Sequence, residues 1–194
     1  MVSIMRKLIL ATMMIFCATS FALAQDDYNK HDIYVGFSHA RVDFDADLEG
    51  FNGFEVAANA NLSRYVGLKG DYAFHFKNSN TSGIDFDAKT HTVVGGVQFK
   101  DNSKETKFKP FAHLMAGIAH ARVKVNPAFC IQQVGVPCQF SDSETGFSGV
   151  FGGGIDVRIN DRIDFRAIQI DYNPTRLGGE TQANFRIGIG LVFR

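Results

Sequence analysis

The sequence has no tryptophan, four prolines and three cysteines among its 194 residues. After its first two dozen residues, no segment approaches the ~20 consecutive apolar residues of a membrane-spanning helix, and no long stretch keeps a helical period of 3.6. It also lacks HExxH, a Walker-type glycine loop and a CxxC pair, the common signatures of zinc proteases, nucleotide binding and structural zinc. With 20 basic and 20 acidic residues there is no cationic excess, so we do not expect nucleic acid as a partner.

The first residues have the pattern of an export signal. Arg6 and Lys7 form a basic start, residues 8–18 are apolar, and residues 22–24 read Ala-Leu-Ala, a small-x-small cleavage site. The apolar stretch is about half of the ~20 residues that a spanning helix needs, which disfavours a membrane anchor. We therefore expect residues 1–24 to be a signal peptide and residues 25–194 to form one exported domain.

Two cysteines remain in the expected mature chain, Cys130 and Cys138. Two cysteines in an exported protein are most simply one disulfide, and the loop-entropy model gives such a short loop about 2.5 kcal/mol of stabilisation. A metal site needs two more ligands close by, and none stands there in the sequence. We expect the disulfide, no metal and no cofactor.

Most of the mature sequence alternates between apolar and polar residues with a period of two, which indicates β-strands. In the last segment Phe185, Ile187 and Ile189 alternate with Arg186 and Gly188. The seventh segment is ambiguous, because Arg166 falls in the same row as Ile168. Eight such segments are predicted, at about 32–44, 53–62, 65–77, 88–100, 107–124, 147–159, 162–172 and 182–194.

The predicted connections alternate in length. Those at 63–64 and 160–161 are tight and that at 101–106 is modest, whereas longer loops are expected at 45–52, 78–87, 126–146 and 173–181. This alternation is typical of an up-and-down barrel in a membrane. A lipocalin-like barrel with an apolar interior is the alternative, but its outer face needs many Lys and Glu residues, which the strand middles lack. The predicted fold is all-β, an eight-stranded antiparallel up-and-down transmembrane β-barrel.

Several stretches resemble the small outer-membrane β-barrel proteins of Gram-negative bacteria, similar to the transmembrane domain of the OmpA type. The resemblance implies an outer-membrane location within this porin-like family, contact with lipid and lipopolysaccharide, and insertion by the outer-membrane assembly machinery through an aromatic near the chain end, here Phe193. The sequence departs from the OmpA type in two respects. No peptidoglycan-binding tether is expected, because the sequence stops at the eighth predicted strand, and Arg194 follows the aromatic. The resembling stretches are 53–55, 61–72, 109–112, 151–156, 169–172 and 185–190.

The row opposite the apolar one predicts a polar lumen. A charge in so narrow a space is costly unless it is paired, so we expect ion pairs, in particular Glu55 with Arg186 and Lys69 with Asp156. A satisfied polar plug is favoured over an ion pathway. The predicted lumen network consists of Glu55, Lys69, Asp71, Asp156, Arg158 and Arg186.

These patterns favour a monomeric structural or surface-interaction barrel, an adhesive role among the options, with an extracellular ligand meeting the four longer loops. The alternatives are a narrow solute channel and a lipid-A-modifying barrel enzyme. None of the six histidines begins the His-x-Ser spacing of the deacylases, so we predict no catalytic residue and no enzyme. Arg41 and Arg122, each in a His-Ala-Arg triplet, are either ligands for lipopolysaccharide phosphates or ordinary interfacial residues.

Overall fold

The computed structural model describes residues 28–44, 47–81, 84–127 and 140–194. The expected signal peptide and both Cys130 and Cys138 lie outside these residues, so the cleavage and the disulfide stay predictions. Within the described ranges, no helix has the length and apolar character needed to cross a membrane.

Eight strands form one closed barrel in sequence order, and every neighbouring pair is antiparallel. β8 returns to pair with β1, for example through Gly190 opposite Gly36, so the sheet has no open edge. The predicted fold class is confirmed. The strands are β1 His31–Phe44, β2 Asp47–Asn61, β3 Val66–Thr81, β4 Ile84–Lys100, β5 Phe108–Pro127, β6 Phe140–Arg158, β7 Ile163–Leu177 and β8 Glu180–Phe193.

The middle band of the barrel's outer surface is apolar, and the lumen behind that band is mostly polar. On β8, the alternate residues from Phe185 to Phe193 are 38% to 53% exposed, whereas Arg186 between them is 3% exposed. The other strands repeat this arrangement, because successive side chains of a strand point to opposite faces. A barrel in water would place the apolar row inside, so the lipocalin-like alternative does not fit and the outer row faces lipid.

An irregularity in β7 resolves the ambiguous row of that strand. Its pairing with β8 shifts between Arg166 and Gln169, which is a β-bulge. The extra residue changes the phase, so Arg166 and Gln169 are both fully buried in the lumen while Ile168 is 41% exposed on the outer face.

The predicted long loops are wrong in extent, because strands continue into each of them. β2 begins at Asp47, β3 ends at Thr81, β4 begins at Ile84, β6 begins at Phe140 and β8 begins at Glu180. The turn-forming residues in these segments misled the prediction, since a sheet with water on its outer face accepts Asn, Asp and Ser in paired positions, such as Asn78 opposite Asp87.

The connection between β7 and β8 is a two-residue turn within the predicted loop 173–181. Gly178 and Gly179 have φ angles of +59° and +86°. Two consecutive positive φ angles suit a tight hairpin turn, and glycine adopts them without steric cost.

The tight turns predicted at 63–64 and 160–161 are confirmed, and they lie with residues 101–107 at one end of the barrel, here called the terminal end. The opposite end is called the loop end. In the turn after β4, burial would raise the pKa of Asp101, but hydrogen bonds from Arg64, the Ser103 backbone and Thr106 outweigh it and lower the pKa to about 2.

We predict that Gly36→Ala destabilises the barrel by about 1–3 kcal/mol, because overpacking forces neighbours to move. A Cβ atom at Gly36 would lie 2.2 Å from the Tyr34 hydroxyl and 2.5 Å from the Ile189 carbonyl oxygen. Gly70→Ala is the matched control, since nothing lies within 4 Å of a Cβ there, and it should change stability by less than about 0.5 kcal/mol. Urea unfolding of the refolded protein in micelles measures both, and equal losses would contradict the prediction.

Candidate functional site in the barrel lumen

The lumen contains a balanced set of buried charges. Among the residues that the structure describes, six carboxylates and six basic side chains lie there, each buried from solvent, and every one of them takes part in at least one ion pair. Pairing is what makes such burial tolerable, because an isolated ion loses its hydration without compensation. The acids are Asp32, Glu55, Asp71, Asp156, Asp164 and Asp171, and the bases are Lys69, Lys100, Lys109, Arg166, Arg186 and Arg194.

Arg186 on β8 is the centre of the cluster nearer the loop end. Its Nη2 lies 2.6 Å from Asp171 Oδ2, its Nη1 lies 3.2 Å from Asp71 Oδ1, and its Nε lies 3.6 Å from Glu55 Oε2. One guanidinium therefore joins carboxylates from β7, β3 and β2, and its fork of donors suits this task.

Lys69 and His113 complete this cluster. The Lys69 ammonium lies 3.7 Å from Glu55 and 3.4 Å from Asp71. His113 Nε2 is 2.9 Å from Asp171 Oδ1 and its Nδ1 is 3.4 Å from Lys69 Nζ. Because the ammonium can only donate, Nδ1 accepts and Nε2 carries the proton that Asp171 accepts.

Arg166 on β7 is the centre of the second cluster, nearer the terminal end. Its guanidinium carbon lies 4.2 Å from the centre of the Tyr34 ring and 4.0 Å from that of Phe111. Nε and Nη2 donate to the two oxygens of Asp156 at 2.8 and 3.2 Å. The cation is thus held by two aromatic faces and a bidentate carboxylate, which lysine cannot reproduce.

Three more cations extend this cluster to the terminal end. Lys100 lies 2.7 Å from Asp32 and 3.4 Å from Asp156. Lys109 and Arg194 both reach Asp164, at 3.5 and 2.5 Å. Arg194, which follows the last strand, and Lys109 thus form a separate charged group around Asp164 at the terminal end.

Gln169 joins the two clusters. Its amide nitrogen donates to Glu55 at 2.9 Å and to Asp171 at 2.7 Å, and its amide oxygen accepts from Arg166 Nη1 at 2.6 Å. A neutral amide can serve a cation on one side and carboxylates on the other. Hydrogen bonds therefore link the Arg186 cluster to the Arg166 cluster.

The structure brings together some of the residues predicted for the lumen and separates others. Glu55, Lys69, Asp71 and Arg186 meet in one cluster. The predicted Lys69–Asp156 pair is wrong, because Asp156 belongs to the cluster of Arg166.

Two predicted site residues lie outside the central network. Arg158 is at the terminal end and pairs with Asp161 of the turn. Phe193 faces outward near that end and is 42% exposed.

The sequence reading missed several central residues. Arg166 and Gln169 were missed because the bulge between them breaks the alternation. The signal that could have found Gln169 is the run of alternate polar residues after the bulge, Gln169, Asp171 and Asn173. Asp32, Lys100 and Lys109 stand at strand ends, where alternation alone does not distinguish a lumen position from a solvated one.

Above Arg186, at the loop end, lies a cavity of about 410 Å³. Its floor includes His75 and Thr92, and its mouth includes the carboxylates of Glu144 and Glu180. The ion network lies below it.

Among the described residues, one serine–histidine contact borders this cavity, and its serine lacks the features of a catalytic nucleophile. Ser38 Oγ lies 2.9 Å from His75 Nε2, but Ser38 is fully buried, and no described carboxylate orients the histidine as a triad would require. Within the described ranges, no group of three or more His, Cys, Asp or Glu is placed to hold a metal ion.

We predict that Arg166→Met costs about 3–5 kcal/mol of stability, since it leaves Asp156 without its main partner in a buried site. The double variant Arg166→Met with Asp156→Asn should lose less, because the uncompensated charge is gone. Arg176→Met, at an exposed arginine of the same strand, is the control and should be near neutral. Urea unfolding in micelles measures the free energy of unfolding of each variant. A double variant as unstable as the single Arg166→Met variant would refute the pairing argument.

Solved structures of other proteins have a similar fold. Ail, the attachment invasion locus protein of Yersinia pestis, superimposes with a TM-score of 0.60 at 20% identity, over 84% of this chain and 97% of that one. Neisserial surface protein A gives a TM-score of 0.56 at 12% identity, over 85% and 97% of the two chains. At these identities the likeness concerns the fold alone. A comparison with curated protein sequences finds no match.

A match to a protein-family model identifies the family of this chain. The model of the outer membrane protein beta-barrel domain matches residues 8–193, nearly the whole chain. This match agrees with the closed eight-stranded barrel and its apolar outer face. The chain belongs to the outer-membrane β-barrel domain family, and its place is the outer membrane.

Proposed function

We propose that this protein is a closed, monomeric outer-membrane platform that presents its loop end for surface contacts, rather than a channel or an enzyme. The observation that carries the proposal is the ion network of the lumen, in which Gln169 links the clusters of Arg186 and Arg166. A closed sheet satisfies its own strand edges, which supports the monomer.

The network supports a plugged lumen for an energetic reason. An ion passing through must separate paired charges in a space from which bulk water is excluded, and breaking a buried pair costs about 3–5 kcal/mol. Several pairs succeed one another along the barrel, so the barrier is repeated. Eight strands leave an interior only just wide enough to be filled by side chains.

The lengths of the strands support a surface role. β4 and β5 have 17 and 20 residues, whereas a tilted strand crosses a bilayer with ~9–11. The excess lies at the loop end, where the sheet continues beyond the apolar band, and we infer that this end faces outside. One solved structure of Ail contains the heparin analogue sucrose octasulfate, and contact between this chain's loop end and an extracellular ligand, in adhesion for example, is part of the proposal.

We predict that the refolded protein shows no large, stable single-channel conductance in a planar bilayer. Arg186→Ala should increase the frequency of openings, because it frees the three carboxylates that this guanidinium joins. Arg176→Ala, at an exposed arginine, should behave as the native protein does. A large, stable conductance of the native protein would remove the plugged-lumen proposal.

Lipopolysaccharide is the lipid partner that we propose for the outer face near the loop end. Val93 and Ile118, opposite each other on β4 and β5, are 52% and 56% exposed. One step nearer the loop end on the same outer face, His91 lies opposite His120. One step further, Lys89 lies opposite Arg122. Like charges directly opposite each other are unfavourable unless an anion lies between them, and the height just above the lipid-facing row suits a lipid phosphate.

We predict that lipopolysaccharide raises the melting temperature of the native protein in zwitterionic micelles, and that Lys89→Gln with Arg122→Gln removes most of this shift. Lys104→Gln with Arg162→Gln is the control, at exposed cations of the terminal end. Dephosphorylated lipopolysaccharide should stabilise less. Equal shifts in both double variants would refute the site. Mass spectrometry of the recovered lipid should find unchanged acyl chains, and altered ones would favour the enzyme alternative.

A further inference from the structure

The cavity at the loop end has two unlike walls. Apolar side chains from β1 and β5 form one of them, among them Val42, Ala121 and Val123. Amides and hydroxyls from β7 and β8 form the other, among them Thr175 and Gln182. A molecule held here meets hydrocarbon on one side and hydrogen-bonding groups on the other.

The mouth of the cavity is acidic. Asp142 and Glu144 on β6 and Glu180 on β8 line it, and all three are exposed. None of them forms an ion pair with a cation of the described residues. Together they give the mouth a negative electrostatic potential, because no basic residue of the cavity lining stands between them.

The floor carries buried polar atoms with open hydrogen-bonding capacity. Thr92 is 6% exposed, and its hydroxyl has no hydrogen-bond partner among the described residues. His75 is 4% exposed, its Nε2 contacts Ser38, and its Nδ1 has no described partner. Arg186 also lines the floor, but Asp71 and Asp171 occupy its guanidinium from below. Neutral hydrogen-bonding groups are therefore what the floor offers a ligand.

We propose that this cavity binds a short aliphatic primary amine that carries a hydroxyl group at its far end. The ammonium lies among the carboxylates of the mouth, with which it forms charge-assisted hydrogen bonds, about twice as strong as neutral ones. The alkyl body lies against Val42, Ala121 and Val123, and the hydroxyl bonds Thr92 and His75 at the floor. Such binding does not depend on whether the lumen below conducts.

Isothermal titration of the refolded protein in zwitterionic micelles tests the proposal with 5-amino-1-pentanol as the probe. Saturable binding at one site is expected. 1,5-Pentanediol, of the same length but uncharged, should bind at least about tenfold more weakly, the size of effect that one charge-assisted hydrogen bond supplies. 5-Hydroxypentanoate, with the opposite charge, should not bind. Equal affinity for the amine and the diol would overturn the proposal.

Two variants locate the site. Glu144→Gln with Glu180→Gln should weaken binding of the amine by about tenfold or more. Asp85→Asn with Asp87→Asn removes the same charge from the outer face of the same end and should leave binding unchanged. Ala121→Phe fills the cavity and should abolish binding. Heat-modifiable gel mobility checks that each variant is folded. Equal losses in the two double variants, or undiminished binding to folded Ala121→Phe, would refute the site.

Discussion

A strand in lipid must find partners for its backbone N–H and C=O groups in neighbouring strands, because hydrocarbon provides none. Here the pairing of β8 with β1 completes the ring. Closure with only eight strands directs all inward side chains into a narrow lumen, and any charge there must meet an opposite charge. The two clusters around Arg186 and Arg166, and the amide of Gln169 between them, follow from that constraint.

The same constraint explains residues that carry no charge. Arg166 needs flat faces on both sides of its guanidinium, and Tyr34 and Phe111 provide them although they occupy the polar row. Tyr34 in turn leaves no room beside it, so glycine stands at Gly36 and Gly190, where a Cβ atom would overlap the tyrosine ring or its hydroxyl. The lumen is thus filled by a few large polar and aromatic side chains and a set of glycines that make space for them.

The alternation in the sequence predicted the strands, their faces and the meeting of Glu55 with Arg186, because each depends on a period of two and on which strands are neighbours. The alternation did not predict the partners of Lys69 and Asp156. The stagger of the strands around a barrel decides which inward residues lie at the same height, and no local sequence pattern encodes that stagger. The prediction failed at Arg166 because one extra residue reverses the alternation. It also underestimated the strands at the loop end, where Asn78 and Asp87 pair within the sheet.

Several contacts of the ion network cross the lumen and join residues far apart in the sequence. Gln169 and Glu55 are separated by 114 positions, and Arg186 and Asp71 by 115. Such contacts exist only after the first and last strands have met, so they give no help to the early hairpins. Interactions that form at the last step of folding slow unfolding more than they speed folding. These cross-lumen contacts therefore act chiefly on the lifetime of the finished barrel, because they oppose its reopening at the seam between β1 and β8.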